Sequence, residues 1–481
     1  MAKKETKEGI SAEKDDDFSE WFQQILQKAE LIEYTDISGC YVLRPRAYAI
    51  WENVQKYLDS KFSALGVKNA YFPLLIPESL LKKESEHIKG FTPEVAWVTH
   101  SGKTKINERL AIRPTSETIM YSAYSKWIHS WKDLPLKINQ WCNIIRWEFK
   151  NPVPFLRSRE FLWQEGHTVF ATKEESVKEA LQMLDIYAKA YEELYAVPMI
   201  KGKKTEKEKF PGADTTFSVE TFLPSGKAIQ GATSHNLGQN FSKPFDIKFK
   251  DKDEKDKYAW QNSWGLSTRS IGIMIMMHSD NKGLVLPPRV AENKIVIVPI
   301  IFDNTKDKVL KEAKEIFREL KEFSPLFDDR EGYSPGWKFN EWEMKGIPVR
   351  IEIGPKDIEK NQAVVVRRDN GIKETIKIKE LKKKIPAILD DIQNSLYKKA
   401  EKYLKENTVK ADNWKSFFEA IKSKKLVLAP YCNNEDCEDW IKDKTEGAKS
   451  ICIPFEQPKN PGKCIHCGKQ TEVMCYFAKS Y

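Results

Sequence analysis

The chain has 481 residues, too many for one hydrophobic core and enough for about three domains. Hydrophobic residues make up 41%, so most of it can fold, yet the best apolar run, Ile271 to Met277, is far too short to cross a membrane as a helix. The net charge of +9 permits a polyanionic partner, and equally a lysine-rich surface kept for solubility.

The N-terminus opens on Lys3, Lys4, Glu5, Lys7 and Glu8 and runs on to Asp15, Asp16 and Asp17. It carries no apolar signal core, so residues 1–17 read as a solvated, flexible tail and the protein as cytoplasmic. Phe18, Trp21, Phe22, Ile25, Leu26 and Ala29 then recur at helical spacing over residues 18–31. Pro45 suits the first turn of a longer helix, whose stripe of Tyr48, Trp51, Val54, Tyr57, Leu58, Phe62 and Leu65 ends at Gly66. Ala70 to Pro77 reads as a strand closed by prolines, either at an interface or at an ordinary edge.

Arg113-Pro114-Thr115-Ser116-Glu117-Thr118 precedes a helix expected to start near Ile119. Thr115 and Glu117 are either capping residues or a loop offering a hydroxyl and a carboxylate to a cationic amine. Strand-like runs follow at 136–148 and 161–170. Arg146 and Glu148, two residues apart, project from one face of an extended chain, as do Arg157 and Arg159. Guanidinium forks beside carboxylates suit a nucleotide held with an acidic co-substrate; surface salt bridges are the plainer alternative.

A helix fits 173–195, a sheet-like block 214–250, and a glycine-containing strand-to-helix unit 263–279. Gln230 to His235 sets polar side chains beside Gly231 and Ala232, which suits either backbone approach to a ligand or a turn. Arg269 precedes an apolar helix, where it is either an anion contact near the N-terminus or a surface arginine. Pro287 and Pro288 mark a boundary. Beyond them a buried strand at 294–301, a charged helix at about 305–323, strands at 347–353 and 362–368, and a helix at 379–404 make a separate α/β domain.

Six of the eight cysteines lie after residue 430. Cys432 and Cys437 are separated by four residues, and Cys464 and Cys467 by two. Two close thiolate pairs can supply a tetrahedral Zn2+ site with no open position, hence a structural one. Cys452 and His466 are spare candidate ligands, and Cys475 is expected to pack in a core. Walker-type, dinucleotide-binding, His-Glu-x-x-His and Gly-x-Ser-x-Gly motifs are all missing from the chain.

Taken together, these segments resemble prolyl-tRNA synthetases, which are class II aminoacyl-tRNA synthetases, from about residue 18 to Tyr481. The long helix and the strand ending at Pro73 look like motif 1, Arg146 through His167 like motif 2, and Trp264 to Arg269 like motif 3. Arg113 to Thr118 and Gly231 to Phe241 look specific to the prolyl enzymes. The Thr115/Glu117 loop and the His235 segment argue against threonyl- and glycyl-specific members. Both motif arginines, Arg146 and Arg269, argue against a non-catalytic RNA-binding paralogue. The zinc-type C-terminal domain, the terminal tyrosine and the roughly 100 residues from Glu165 to Trp264 are similar to the archaeal and eukaryotic-like type, without the inserted editing domain of the bacterial type.

The resemblance implies an α+β class II catalytic domain, an antiparallel sheet with helices, over 18–288. An α/β anticodon-binding domain at 289–392 and a zinc-binding domain at 393–481 would follow. It implies ATP with Mg2+, L-proline and tRNA(Pro) as reactants, and a homodimer formed through motif 1. Arg146 would bridge the proline carboxylate and the α-phosphate. Glu148 would accept from the adenine amino group, Arg157 would contact the phosphates, and Arg269 would hold the γ-phosphate, with Gln230, Thr233 and Ser267 around the nucleotide. Thr115, Glu117 and His235 would read the proline between Trp163 and Phe210. In the second domain, Glu343, Arg350 and Lys356 are the candidates for reading anticodon bases.

Overall fold

The computed structural model describes residues 9–87, 94–148 and 150–481. At its centre is an eight-stranded sheet. In spatial order the strands are Ile453–Pro454, Ile200–Lys203, Thr215–Leu223, Lys227–Gly238, Trp260–Ser267, Glu160–Phe170, Leu136–Ile145 and Lys68–Asn69. Every pairing is antiparallel except the last. Helices Pro45–Ala64, Lys173–Glu193 and Arg269–His278 cover one face, and their apolar stripes form the largest core with Trp51, Phe62, Tyr187, Tyr191 and Ile271. The opposite face is left for a site.

Local chemistry places these helices. Pro45 occupies the first turn of its helix, as expected. Thr172 and Glu175 close a capping box at the start of Lys173–Glu193. Packing needs one bare position: a Cβ on Gly166 would lie 2.1 Å from the Trp264 ring, which crosses the neighbouring strand there. Trp264 donates its indole N–H to buried Glu179 at 3.0 Å.

Three expectations change. Ala70 to Pro77 is not one strand: Lys68–Asn69 joins the large sheet, while Leu75–Pro77 joins a smaller sheet with Thr104–Ile112 and Trp97–Ser101. Pro73, lacking an N–H, sits at the changeover. The strand expected over 136–148 ends at Ile145, because Trp147 gives its N–H to the Glu94 carbonyl at 3.1 Å. Residues 1–8 of the expected tail lie outside the described residues, but residues 9–17 are docked. Lys14 reaches the Ser279 carbonyl at 2.8 Å, its backbone N–H reaches Asn281, and Ile10 and Ala12 pack on the main core.

The second unit is a five-stranded mixed sheet, Leu326–Phe327, Ile295–Pro299, Val349–Ile353, Gln362–Arg367 and Lys373–Lys377, with parallel pairing on both sides of Ile295–Pro299. Helix Leu381–Glu406 continues through the expected boundary at 392/393 and carries the chain into the third unit. There a four-stranded sheet, Thr408–Lys410, Leu426–Pro430, Met474–Lys479 and Ala448–Ser450, packs its own core. The third unit is not detached. Its strand Ile453–Pro454 is the edge of the large sheet, and Lys204, paired with Glu220 at 2.7 Å in the buried interior, also donates to the Ile451 carbonyl.

Candidate active site

The open face of the large sheet holds a cavity of about 300 Å³ lined by Thr115, Glu117, Arg146, Trp163, Phe210, Gln230, Thr233, His235, Ser267 and Arg269. The pleat explains the convergence. Trp163, Glu165 and His167 alternate on one strand, and Thr233 and His235 on another, so all five face the cavity. Across the strands, Thr216, His235, Ser263 and His167 stand in one register row; Ser218, Thr233, Gly265, Glu165 and Gln140 form the next.

Helix Glu117–Trp127 begins at the cavity, two residues earlier than expected, and its N-cap Ser116 makes no side-chain capping bond. Thr115 and Glu117 are therefore not caps. The Thr115 hydroxyl donates to the Glu117 carboxylate, and both are buried at the cavity wall. Arg146 donates through Nε to the Pro114 carbonyl at 3.0 Å, and its guanidinium carbon lies over the Trp163 ring, 5.4 Å from its centre. Arg269 is tethered through Nε to the Leu156 carbonyl at 3.1 Å. The two guanidiniums thus reach one cavity from different elements, and the carboxylate of Glu117 lines it with them.

Below them lies a polar floor whose roles the sequence reading did not assign. Glu165 accepts from the Ser116 N–H at 3.2 Å, the Ser116 hydroxyl, Gln140 Nε2 at 3.2 Å and His167 Nε2 at 3.1 Å. Burial pushes its carboxyl up, but these donors prevail and hold it below the usual range. Burial pushes His167 down, yet the Glu165 bond and the Glu117 charge hold it above its ordinary value, which favours the charged form of both partners. His235 lies on the other side of the row. Desolvation, then the His167 and Arg146 charges, depress it to about 3, so it is neutral at physiological pH. Period-two spacing from Trp163 was the available signal for Glu165 and His167.

Two expected nucleotide contacts fall outside the cavity lining. Glu148 is exposed, because the chain has left the strand by that point, and Arg157 is exposed on the loop side. Arg159 donates to the Ser38 carbonyl and lies over Trp147. In the second unit Arg350 is tied to Glu352 at 2.9 Å and lies over Phe339, Glu343 is paired with Lys282 at 3.1 Å, and Lys356 is exposed on the short helix Pro355–Glu359.

Cys432, Cys437, Cys464 and Cys467 bring their sulfurs within 4.8 Å of one another, so four thiolates fit one tetrahedral metal ion. The spare candidates are used otherwise: His466 stacks on Trp440 at 4.1 Å, and Cys452 is buried against Gly202. Cys475 packs in the core of the third unit.

Residues 98–278 match the family described as tRNA synthetase class II core domain (G, H, P, S and T). Residues 294–388 match the anticodon binding domain family, and 414–481 the family described as prolyl-tRNA synthetase, C-terminal. A Saccharomyces cerevisiae relative named for proline--tRNA ligase is 50% identical over 98% of this chain and 73% of its own length. The cytoplasmic proline--tRNA ligase of Arabidopsis thaliana is 49% identical, covering 100% of this chain and 92% of its own. Proline--tRNA ligase 2 of Bacillus cereus is 50% identical over 97% and 98%. A three-unit architecture, an arginine-and-carboxylate cavity on a largely antiparallel sheet, and relatives aligned over most of their length together show that the chain belongs to the prolyl-tRNA synthetase family of class II aminoacyl-tRNA synthetases.

Proposed function

We propose that this chain activates L-proline with ATP to prolyl-adenylate and transfers the prolyl group to tRNA(Pro). The observation that carries this reading is that the Glu117 carboxylate, the Arg146 guanidinium and the Trp163 and Phe210 rings all line one cavity. Such a cavity suits a small zwitterion with an apolar body. Glu117 and Thr115 would take the secondary ammonium, and Arg146 the carboxylate. In the first step a carboxylate oxygen attacks the α-phosphorus of ATP. The new P–O bond forms as the bond to pyrophosphate breaks, and pyrophosphate leaves. In the second step a terminal ribose hydroxyl of the tRNA attacks the mixed anhydride, releasing AMP. Neither step needs a covalent enzyme nucleophile. The work is positioning, together with neutralising charge at phosphorus by Arg146 and Arg269.

Gln230, Thr233 and Ser267 would surround the nucleotide, with Mg2+ carried in by ATP. Glu148 and Arg157 would contribute adenine and phosphate contacts from the rim, a role that requires them to turn inward when nucleotide binds. Glu343, Arg350 and Lys356 would meet the anticodon. Zn2+ at the four cysteines would be structural. The domains would divide as 18–288, 289–392 and 393–481, with the enzyme acting as a cytoplasmic homodimer. Exposed Ile37, Val42 and Tyr48 near the start of the long helix support that pairing. The deciding assay is amino-acid-dependent ATP–pyrophosphate exchange with proline, threonine, glycine, alanine and cysteine. Strong exchange with proline supports the reading; no exchange with any of them from folded protein overturns it.

A further inference from the structure

Thr216 lies on strand Thr215–Leu223 directly across from His235. It is buried, with 2% of its surface exposed. Its hydroxyl oxygen accepts the Phe210 backbone N–H at 2.9 Å and stands 3.0 Å from His235 Nδ1. A buried hydroxyl has one proton to place, and leaving it unplaced is costly. Among the described residues the acceptor within reach is His235 Nδ1. Nδ1 must then be unprotonated, and a neutral imidazole carries its proton on Nε2. Protonating Nδ1 would turn two donors against each other, which agrees with the absence of charge on this ring. Nε2 has no hydrogen-bond partner among the described residues, and His235 lines the cavity.

We infer that Thr216 is a positioning residue that locks His235 as its Nε2–H tautomer, so that this ring offers the amino acid a hydrogen-bond donor and not an acceptor. This rests on the proposed reading of the cavity as the proline site. A donor cannot receive the substrate's ammonium, which leaves that group to Glu117 and Thr115. The acceptors an amino acid does present are its carboxylate oxygens, one of which becomes the carbonyl of the adenylate. With Arg146 and His235 as donors and Glu117 as acceptor in one lining, the cavity then accepts the amino acid with its carboxylate toward Arg146 and its ammonium toward Glu117.

The test combines spectroscopy and kinetics on the full chain. Protein labelled with 15N-histidine, with the His235 signals assigned by loss in a His235→Gln variant, reports the tautomer directly. The wild type and Thr216→Ser are expected to show a protonated Nε2 and a bare Nδ1 at neutral pH. Thr216→Val is expected to lose that preference and to raise KM for proline roughly ten-fold, the scale of one lost hydrogen bond to a charged group. KM for ATP should be unchanged and kcat little altered, and Thr216→Ser should restore the proline KM. A protonated Nδ1 in the wild type, or a folded Thr216→Val variant with normal proline KM, would overturn the inference. Because the tautomer is read without substrate, a wild type with no proline-dependent exchange would defeat the functional reading separately.

Discussion

Arginines show most clearly what a side chain's surroundings decide. Arg113, Arg146 and Arg269 all sit in segments singled out by sequence, but they differ in how fully their donors are used. Arg113 is 1% exposed, donates through Nε to the Asn143 carbonyl and spends its fork on the Phe72 carbonyl and Asn143 Oδ1, so it fixes the loop that carries Thr115. Arg146 uses one N–H on Pro114 and keeps its fork for the cavity. Arg146→Ala is therefore expected to lose about 3 kcal/mol or more of transition-state stabilisation, measured as kcat/KM for pyrophosphate exchange. Near-normal exchange would contradict its assignment. Spacing cannot separate these two arginines, because what separates them is which backbone carbonyls lie within reach after folding. Glu179 makes the same point for a carboxylate. Burial raises its pKa to about 7, against the pull of Asn262, Trp264 and Thr168. Between about pH 4.5 and 7 the native state keeps a proton that the unfolded chain has released, so stability should fall as pH rises through that window. A plot of melting temperature against pH should lose part of that fall in Glu179→Gln; parallel slopes for the two proteins would count against it.

At the scale of elements, much was legible. The long helices, the strands flanking Arg146 and the strand-to-helix unit ending at Arg269 carry periods of 3.6 or 2 that survive folding. The elements that were misread lie where pairing is switched by a single backbone group: Pro73 between two sheets, and Trp147 turning away to Glu94. Cysteine spacing was sufficient to expect a four-thiolate cluster, but not what it supports. The cluster packs within the unit whose Ile453–Pro454 strand extends the large sheet, beside the buried Lys204–Glu220 pair. Cys464→Ser is expected to abolish bound zinc, measured by atomic absorption. It should also lower the melting temperature of the whole chain, because losing that strand strips an edge from the large sheet. A variant free of zinc with an unshifted transition would show that the cluster is metal-independent.

Over the whole molecule, the three units are held by contacts between residues far apart in sequence. Arg368, almost fully buried, grips Asp280 through two bonds of 2.6 and 2.8 Å and the Glu343 carbonyl at 2.7 Å. Gly283 and Gly346 permit the same junction: a Cβ on either would lie within 2.7 Å of backbone on the opposite side. Gln393, on the helix that joins the last two units, donates to the carbonyls of Glu193 and Leu194. Arg368→Ala is expected to cost about 2 kcal/mol, the range for charge-assisted hydrogen bonds discounted for the half-exposed Asp280. Calorimetry should then show the second unit unfolding ahead of the first, while proline-dependent exchange persists. An unchanged single transition would mean that the junction is held elsewhere.

The sequence by itself determined the family resemblance, the main helices and strands, the four-cysteine cluster, and ten of the residues that line the cavity. Those features are carried by local periods and by motifs whose spacing maps onto one face of a strand. Only the tertiary structure decided in which direction the buried carboxylates and histidines shift, which arginines keep donors for a ligand, that residues 9–17 are docked, and that the third unit completes the catalytic sheet. Each of these depends on desolvation and on hydrogen-bond partners brought from distant parts of the chain, and neither quantity exists until the chain has folded.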